Sequence, residues 1–363
     1  MAALSGMAGF ERSGEGGHFV FEAGDVPGTG KELGRAGVLA TGERVVSVAL
    51  AGQGNMNRTL RVRTSERSLI LKQSFPWVAK YPQFAAPWDR IAGEHAFYER
   101  ARGVAGVGEF MPAVIHFEPR GRWMALEDLG EGGDHTDLYR GVKIGEGDLR
   151  ELAGFLGRLH AIRPAGEPVR NPEMRALNHA HLFEIPFRAD NGLDLEAISA
   201  GLGAAGLRVV SNTEVVGRAS ELGRTVYLGE GSSLVHGDFF PGSVVRGVAG
   251  PRVIDPEFSF DGRAEIDEGI WLGHMVLAGQ GVKVLEQWRR FYRGPDGHDI
   301  ELAVALAGVE IVRRLIGYAQ LPLGSSPQGR VVRLEVGAGL ILRPGWDALL
   351  EGMARVEKEG MSC

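Results

Sequence analysis

The stretch LVHGDFFPGSVV, Leu234 to Val245, runs from a short apolar segment through a His-Gly-Asp turn into a second apolar segment. Asp238 therefore falls where a strand gives out. A carboxylate on such a loop could accept the proton of an attacking hydroxyl as that oxygen closes on a γ-phosphate, although aspartate after glycine is also ordinary turn chemistry. Ser243 carries a hydroxyl able to reach a metal or a backbone group. The next such junction, RVIDPEF, holds Asp255 and Glu257. These are hard oxygen donors of the kind magnesium takes in small number before completing its shell with water and phosphate. His236 reads as a loop brace, and no second histidine stands at the spacing a zinc site needs.

A second set of charges lies upstream. Lys72 sits in SLILKQ between apolar neighbours, where an ammonium needs an opposite charge unless it snorkels from an edge strand. Glu94, on the helical face shared by Ile91 and Tyr98, is an available partner. A Lys72–Glu94 pair would hold the lysine toward nucleotide phosphates; a solvated helix-edge glutamate is the plainer alternative. In GQGNMN, Gly52 and Gly54 would let backbone amides approach a phosphate or would simply form a hairpin turn. A dinucleotide fingerprint is excluded because TLRVR, which follows, reads as strand rather than helix. DVPGTGKE fails as a Walker loop, with Asp25 at the first glycine position and Glu32 at the Ser/Thr position. Arg313 shares a stripe with Leu302, Leu306, Val309 and Ile316 on a helix that is apolar on most sides, so its guanidinium needs acceptors. Substrate hydroxyls, the catalytic carboxylates and an internal salt bridge all qualify.

The elements that must position these groups follow from periodicity. RVVSVAL, TLRVRT and SLILKQ read as strands around the GQGN turn, DRIAGEHAFYERAR as a helix, and PAVIHFEP and WMALEDL as two further strands. Beyond the glycine-rich GEGGD the pattern turns helical, in GDLRELAGFLGRLHAIR, DEGIWLGHMVLAG and ELAVALAGVEIVRRLIGYAQ. This predicts an N-terminal arm or edge-strand extension over 1–44, a sheet-rich lobe over 45–129 and a helical lobe over 130–363.

Composition sets the outer bounds. The 363 residues are 44% hydrophobic, ample for a large globular fold. A net charge of -6 without a basic tract argues against nucleic acid or an anionic membrane as partner. The lone cysteine, Cys363, excludes a disulfide framework within one chain and points to a reducing compartment, with cytoplasm the expectation. Neither a signal peptide nor a membrane span is expected.

The series GQGNMN, ILKQ, DRIAGE, LEDL, HGDFFPGS, IDPEFSFDGRAEIDEG and EIVRRLIGYAQ, in that order over roughly Val45 to Gln320, resembles the 5-methylthioribose kinases. These belong to the aminoglycoside phosphotransferase and choline kinase superfamily. The resemblance implies an α+β, bilobal protein-kinase-like fold and an ATP- and Mg2+-dependent kinase acting on a hydroxyl of a small molecule, most closely a methylthioribose-like sugar. It implies Asp238 as base, Asp255 and Glu257 as magnesium ligands, and Lys72, held by Glu94, as phosphate contact. Gly52, Gly54, Asn55, Asn57 and Ser243 would line the nucleotide, with Glu127 and Leu129 in the adenine hinge and Arg313 and Arg314 on the sugar. Trp77, Trp88 and His274 lie near matched segments. The chain departs from that family at Phe239, Phe240 and Pro241, where Leu-His-Thr is usual, and at PQFAAPW, where the ESWP pattern is usual. Such changes bear on the acceptor more than on phosphoryl transfer. An aminoglycoside- or choline-type phosphotransferase, a catalytically silent nucleotide-binding regulator and a helical scaffold are the rival expectations. Monomer and homodimer both stay open.

Overall fold

The computed structural model describes residues 18–52, 56–164 and 166–360. Two compact units divide the chain, one of residues up to His95 with 113–128, the other of 96–112 with Leu129 onward. The first holds α1 (Val26–Arg35), β1 (Val45–Leu50), β2 (Arg58–Thr64), β3 (Ser68–Gln73), β4 (Trp77–Val78) and β5 (Tyr81–Ala85). The division falls within α2 (Arg90–Ala101), and β6 (Val114–Glu118) and β7 (Trp123–Glu127) complete the unit.

Five of these strands form an antiparallel sheet in the order β1-β2-β3-β7-β6. Period-two alternation sends Leu60 and Val62, Leu69 and Leu71, and Trp123 and Ala125 into one core. Burial of each large apolar side chain there contributes about 1.5–3 kcal/mol. Lys72, next to Leu71 along β3, consequently leaves the opposite face.

The segment expected as an arm or extension contributes residues to this core. Phe21, Leu33 and Val38 are buried in it. Gln73 attaches the entering chain, its Nε2 donating to the carbonyl of Phe19 at 2.8 Å and its Oε1 accepting from the amide of Phe21 at 3.0 Å. Helix α1 starts where Asp25 accepts from the amide of Gly28 and Pro27 opens the first turn. Its opening turn is the stretch already rejected as a Walker loop. Glu43, buried at the end of this segment, accepts from the Thr64 hydroxyl, the Ala40 amide and Arg67.

The helical unit is built from α3 (Glu146–His160), α4 (Pro172–His179), α5 (Leu195–Ile198), α6 (Leu202–Val210) and α7 (Thr213–Leu222). Two short antiparallel pairs follow: β8 (Ser233–Val235) lies beside β11 (Phe260–Gly262), and β9 (Val244–Gly247) beside β10 (Gly250–Val253). Then come α8 (Glu265–Leu277), α9 (Val282–Phe291), α10 (Ile300–Ile316), α11 (Pro327–Leu342) and α12 (Trp346–Gly360).

Helix α10 is capped by Asp299, whose side chain accepts from the amides of Glu301 and Leu302, and it is buried from Ala303 to Ile316. Close backbone approach on two sides explains this burial. A Cβ at Gly273 on α8 would stand 2.9 Å from the carbonyl oxygen of Ala307, and one at Gly308 would stand 2.6 Å from that of Gly337 on α11. Any larger residue would push these helices apart. The last two turns of α10 carry Glu310, Arg313 and Arg314 into that interior. The α+β class expected above is the one observed: a small antiparallel sheet unit, then a larger and mostly helical one. Among the described residues, no helix is long and apolar enough to cross a membrane.

Candidate active site

In the helical unit, Asp238 is presented by a loop that is braced at every step. Asp267, fully buried near the start of α8, accepts from the amides of His236 at 2.7 Å and Gly237 at 2.8 Å, and also from Nε2 of His160 at 3.1 Å. Gly237 has φ +83, and a Cβ there would run into the carbonyl of Phe258. Only glycine fits that turn. His236 Nε2 donates to the carbonyl of Ile254 at 2.9 Å, and the amide of Ile254 donates to the carbonyl of Ser243 at 2.9 Å. These two bonds tie the Asp238 loop to the residue just before Asp255, so both strand-end junctions are neighbours. The Ser243 hydroxyl donates to the carbonyl of Asp238 at 3.0 Å, which makes it a brace of the same loop.

The Asp238 carboxylate meets the arginine pair through a single oxygen. Oδ1 accepts from Arg313 Nη1 at 3.2 Å and Arg314 Nη2 at 3.0 Å. Its side chain is 16% exposed, against 6% and 7% for the two arginines. Both guanidinium groups also bind Glu310, Arg313 at 3.0 Å and Arg314 at 2.6 Å. Arg313 thus meets two carboxylates at once, those of Asp238 and Glu310. Burial alone would raise the Glu310 carboxyl, but the charges of Arg313 and Arg314 and the His274 N–H hold it well below the ordinary carboxylate range. Burial likewise opposes the charge on Arg313, and Glu310 and Asp238 more than offset it.

Asp255 stands two residues past the end of β10 with φ +62, the left-handed region that aspartate enters more readily than most side chains. Holding a non-glycine residue there costs on the order of 1 kcal/mol, and such strain concentrates at functional turns. Asp255 is half-buried, while Glu257 is buried. Among the described residues, no group of three or more His, Cys, Asp or Glu side chains could cage a metal ion. Two carboxylate side chains on one short turn suit magnesium, which needs few protein ligands, and do not suit a closed zinc-type cage.

In the sheet unit, Lys72 Nζ lies 2.7 Å from both carboxylate oxygens of Glu94, with Lys72 4% and Glu94 0% exposed. The strand register puts Thr59 and Met124 on either side of Lys72. Asn57 is buried, and its side-chain oxygen accepts from Arg90 Nε at 2.8 Å. Arg90 also donates to the carbonyls of Phe75, Pro87 and Met56, so it secures the segment after the glycine turn to the start of α2. Gly52 is exposed with φ +71; Gly54 and Asn55 lie outside the described residues. Glu127 is exposed, its Oε2 accepting from the amide of Ala113 at 3.1 Å. Leu129 is half-buried and begins the helical unit. Trp77 stacks on Phe75, and Trp88 lies under the Arg122 guanidinium with its indole N–H on the carbonyl of Ser74. Both serve packing in that unit.

Sequence reasoning missed Glu310, Tyr139, Asp267, His160 and Arg90. The spacing of Glu310 to Arg313 and Arg314, three and four residues, was a usable signal. His274, noticed only for its neighbourhood, donates from Nε2 to Glu310 at 2.9 Å and accepts from the Tyr139 hydroxyl at 2.6 Å on Nδ1.

Residues 47–300 match the profile of the phosphotransferase enzyme family. A methylthioribose kinase of Exiguobacterium sibiricum is 27% identical over 83% of this chain and 89% of its own length. One from Erwinia tasmaniensis is 25% identical over 87% and 93%. A choline kinase of Streptococcus pneumoniae of known structure, 14% identical, covers 92% of this chain and 98% of its own with a TM-score of 0.46. The chain belongs to the phosphotransferase enzyme family. It is a small-molecule kinase, a phosphotransferase with an alcohol group as acceptor.

Proposed function

We propose that the chain transfers the γ-phosphoryl group of ATP to a hydroxyl of a neutral sugar of the methylthioribose type, with magnesium as the metal. The observation that carries this reading is the single-oxygen contact of Asp238 with both arginines. It fixes the carboxylate while leaving Oδ2 unengaged by either guanidinium and the side chain partly accessible. Oδ2 would take the proton from the acceptor hydroxyl as the new O–P bond forms. Asp255 and Glu257 would hold magnesium, which when bound supplies neutralisation of phosphate charge. Lys72, oriented by Glu94, would contact the phosphates. Ser243 and the braced loop limit the motion of Asp238, and such positioning is a principal source of rate in phosphoryl transfer.

The names of the relatives support the acceptor class, and so does the charge of the cluster. Asp238 and Glu310 balance Arg313 and Arg314, so the group as a whole carries no net charge. The Phe240 ring is capped by Arg314 at 4.7 Å, which occupies a ring face that a choline-like ammonium would need. A coupled ATP-consumption assay against methylthioribose, pentoses, aminoglycosides and choline tests this: turnover is expected with a neutral sugar. Asp238→Asn should lower that turnover by about 10²–10⁴-fold while the ATP-magnesium shift in Tm persists. Turnover confined to cationic acceptors would overturn the sugar reading.

A further inference from the structure

We propose that Glu310 is a positioning residue for the phosphoryl-transfer reaction: it fixes the guanidinium groups of Arg313 and Arg314 so that both converge on one oxygen of Asp238. The inference rests on the reading of Asp238 as the proton acceptor. One helix supplies all three residues, because positions three and four apart share a face of α10. Glu310 has no exposure to solvent, and its carboxylate oxygens lie 2.6–3.2 Å from nitrogens of both arginines. Two like charges brought this close would repel, and Asp238, partly exposed, offers them a single oxygen. A second carboxylate between them is what allows the pair to sit together behind Asp238. Glu310 reaches Asp238 only through the arginines, so it acts on the reaction indirectly.

Its own orientation is also secured. An ionised carboxylate only accepts hydrogen bonds, so His274 donates from Nε2 and its Nδ1 is left to accept from the Tyr139 hydroxyl. Burial pushes His274 down to about 4 and the Tyr139 hydroxyl well above its usual range. The ring stays neutral and the hydroxyl protonated at working pH. Phe240 closes the arrangement, lying over Arg314 and 5.1 Å from the His274 ring. The chain Tyr139, His274, Glu310, Arg313 with Arg314, and Asp238 is buried throughout, save the partly accessible aspartate.

The test compares Glu310→Asp, Glu310→Gln and Asp238→Asn in the full chain, with ATP, magnesium and whichever acceptor the panel identifies. Glu310→Gln should lower kcat at least about tenfold with the KM for ATP within about twofold of the parent. Glu310→Asp, which keeps the charge but not the length, should retain more kcat than Glu310→Gln, which keeps the shape but not the charge. A packing role alone gives the reverse order. If Asp238→Asn abolishes turnover while Glu310→Gln keeps parental kcat or exceeds Glu310→Asp, the inference falls and the reading of Asp238 stands. If Asp238→Asn retains turnover, that reading falls and the inference with it. Should Glu310→Gln not fold, Tyr139→Phe decides. A kcat lower by about two- to fivefold at unchanged ATP KM supports the chain of contacts, and unchanged kcat overturns it.

Discussion

Buried charge is handled differently in the two units. The sheet unit joins one ammonium on β3 to one carboxylate on α2, 22 residues later in the chain. The helical unit gathers two guanidinium groups and two carboxylates, three of the four residues from the last turns of one helix. In both places removal from water is costly and only close, well-directed partners offset it. A planar guanidinium fork presents its donors in a fixed geometry and can bridge two acceptors. The arginine cluster therefore transmits orientation from a remote carboxylate to Asp238. No such relay is formed by the contacts described for Lys72 and Glu94.

The largest effect that sharpens this contrast is expected in the sheet unit. Lys72→Met should leave Glu94 buried beside an apolar side chain and cost about 3–5 kcal/mol in denaturant unfolding. Lys72→Met with Glu94→Leu should recover most of that loss. A cost under about 1 kcal/mol for the single change would mean that the pair is effectively solvated, and the comparison would fail.

Acid should separate the two units next. His274, depressed to about 4 by burial despite its bond to Glu310, takes up a proton in the unfolded chain at about 6.5. Stability linked to it is lost as pH falls from about 6.5 toward 4, on the order of a few kcal/mol. Burial also lowers His179 and His181. His298 runs the other way: burial lowers it, but the bond to Glu268 and the charges of Glu268, Glu265 and Asp299 together more than offset that, and it contributes stability below its unfolded value that is lost as pH rises. In the sheet unit, Glu43 is lowered to about 2, chiefly by the Thr64 hydroxyl. Its contribution persists down to the ordinary carboxylate range and is lost below it. Peptide-level hydrogen exchange at pH 7 and pH 5 should show protection falling first in α8 and α10. Loss first in β2 and β3 would contradict the assignment.

The smallest expected effect concerns Phe240. Phe240→Leu keeps apolar bulk but removes the ring face over Arg314, a contact of about 0.5–2 kcal/mol. A fall in Tm of a few degrees is the expected outcome. An unchanged Tm would show that the ring adds no stability to the cluster.

Particular residues show why legibility differed between regions. The strands flanking Lys72 alternate with period two, and a lysine among Leu69, Ile70 and Leu71 signals a charge in need of a partner. Glu310 sent a weaker signal. On a helix apolar on most sides, a glutamate near one end is equally compatible with solvent, and only the close approach of α8 and α11 through Gly273 and Gly308 removes that option. Residues 18–44 misled for a related reason. Glycine and proline in VPGTGKELGR lower intrinsic helix propensity, while the Asp25 cap and the docking of Leu33 into the core override it. The β4–β5 hairpin was likewise unseen, since two residues of strand against an exposed five-residue partner leave little periodic pattern.

What the order of residues determined by itself was local: two strand-end carboxylate junctions, a lysine-bearing strand, a helix ending in paired arginines, and the family those segments mark. Side-chain period and turn chemistry act over a few residues and can be read without knowing what lies across the core. Which oxygen each arginine meets, and whether Glu310 faces water or a histidine, was decided only when residues 36 to 76 positions apart in the chain packed closely enough to exclude solvent. Desolvation is a property of the surroundings, and no stretch of chain carries its surroundings with it.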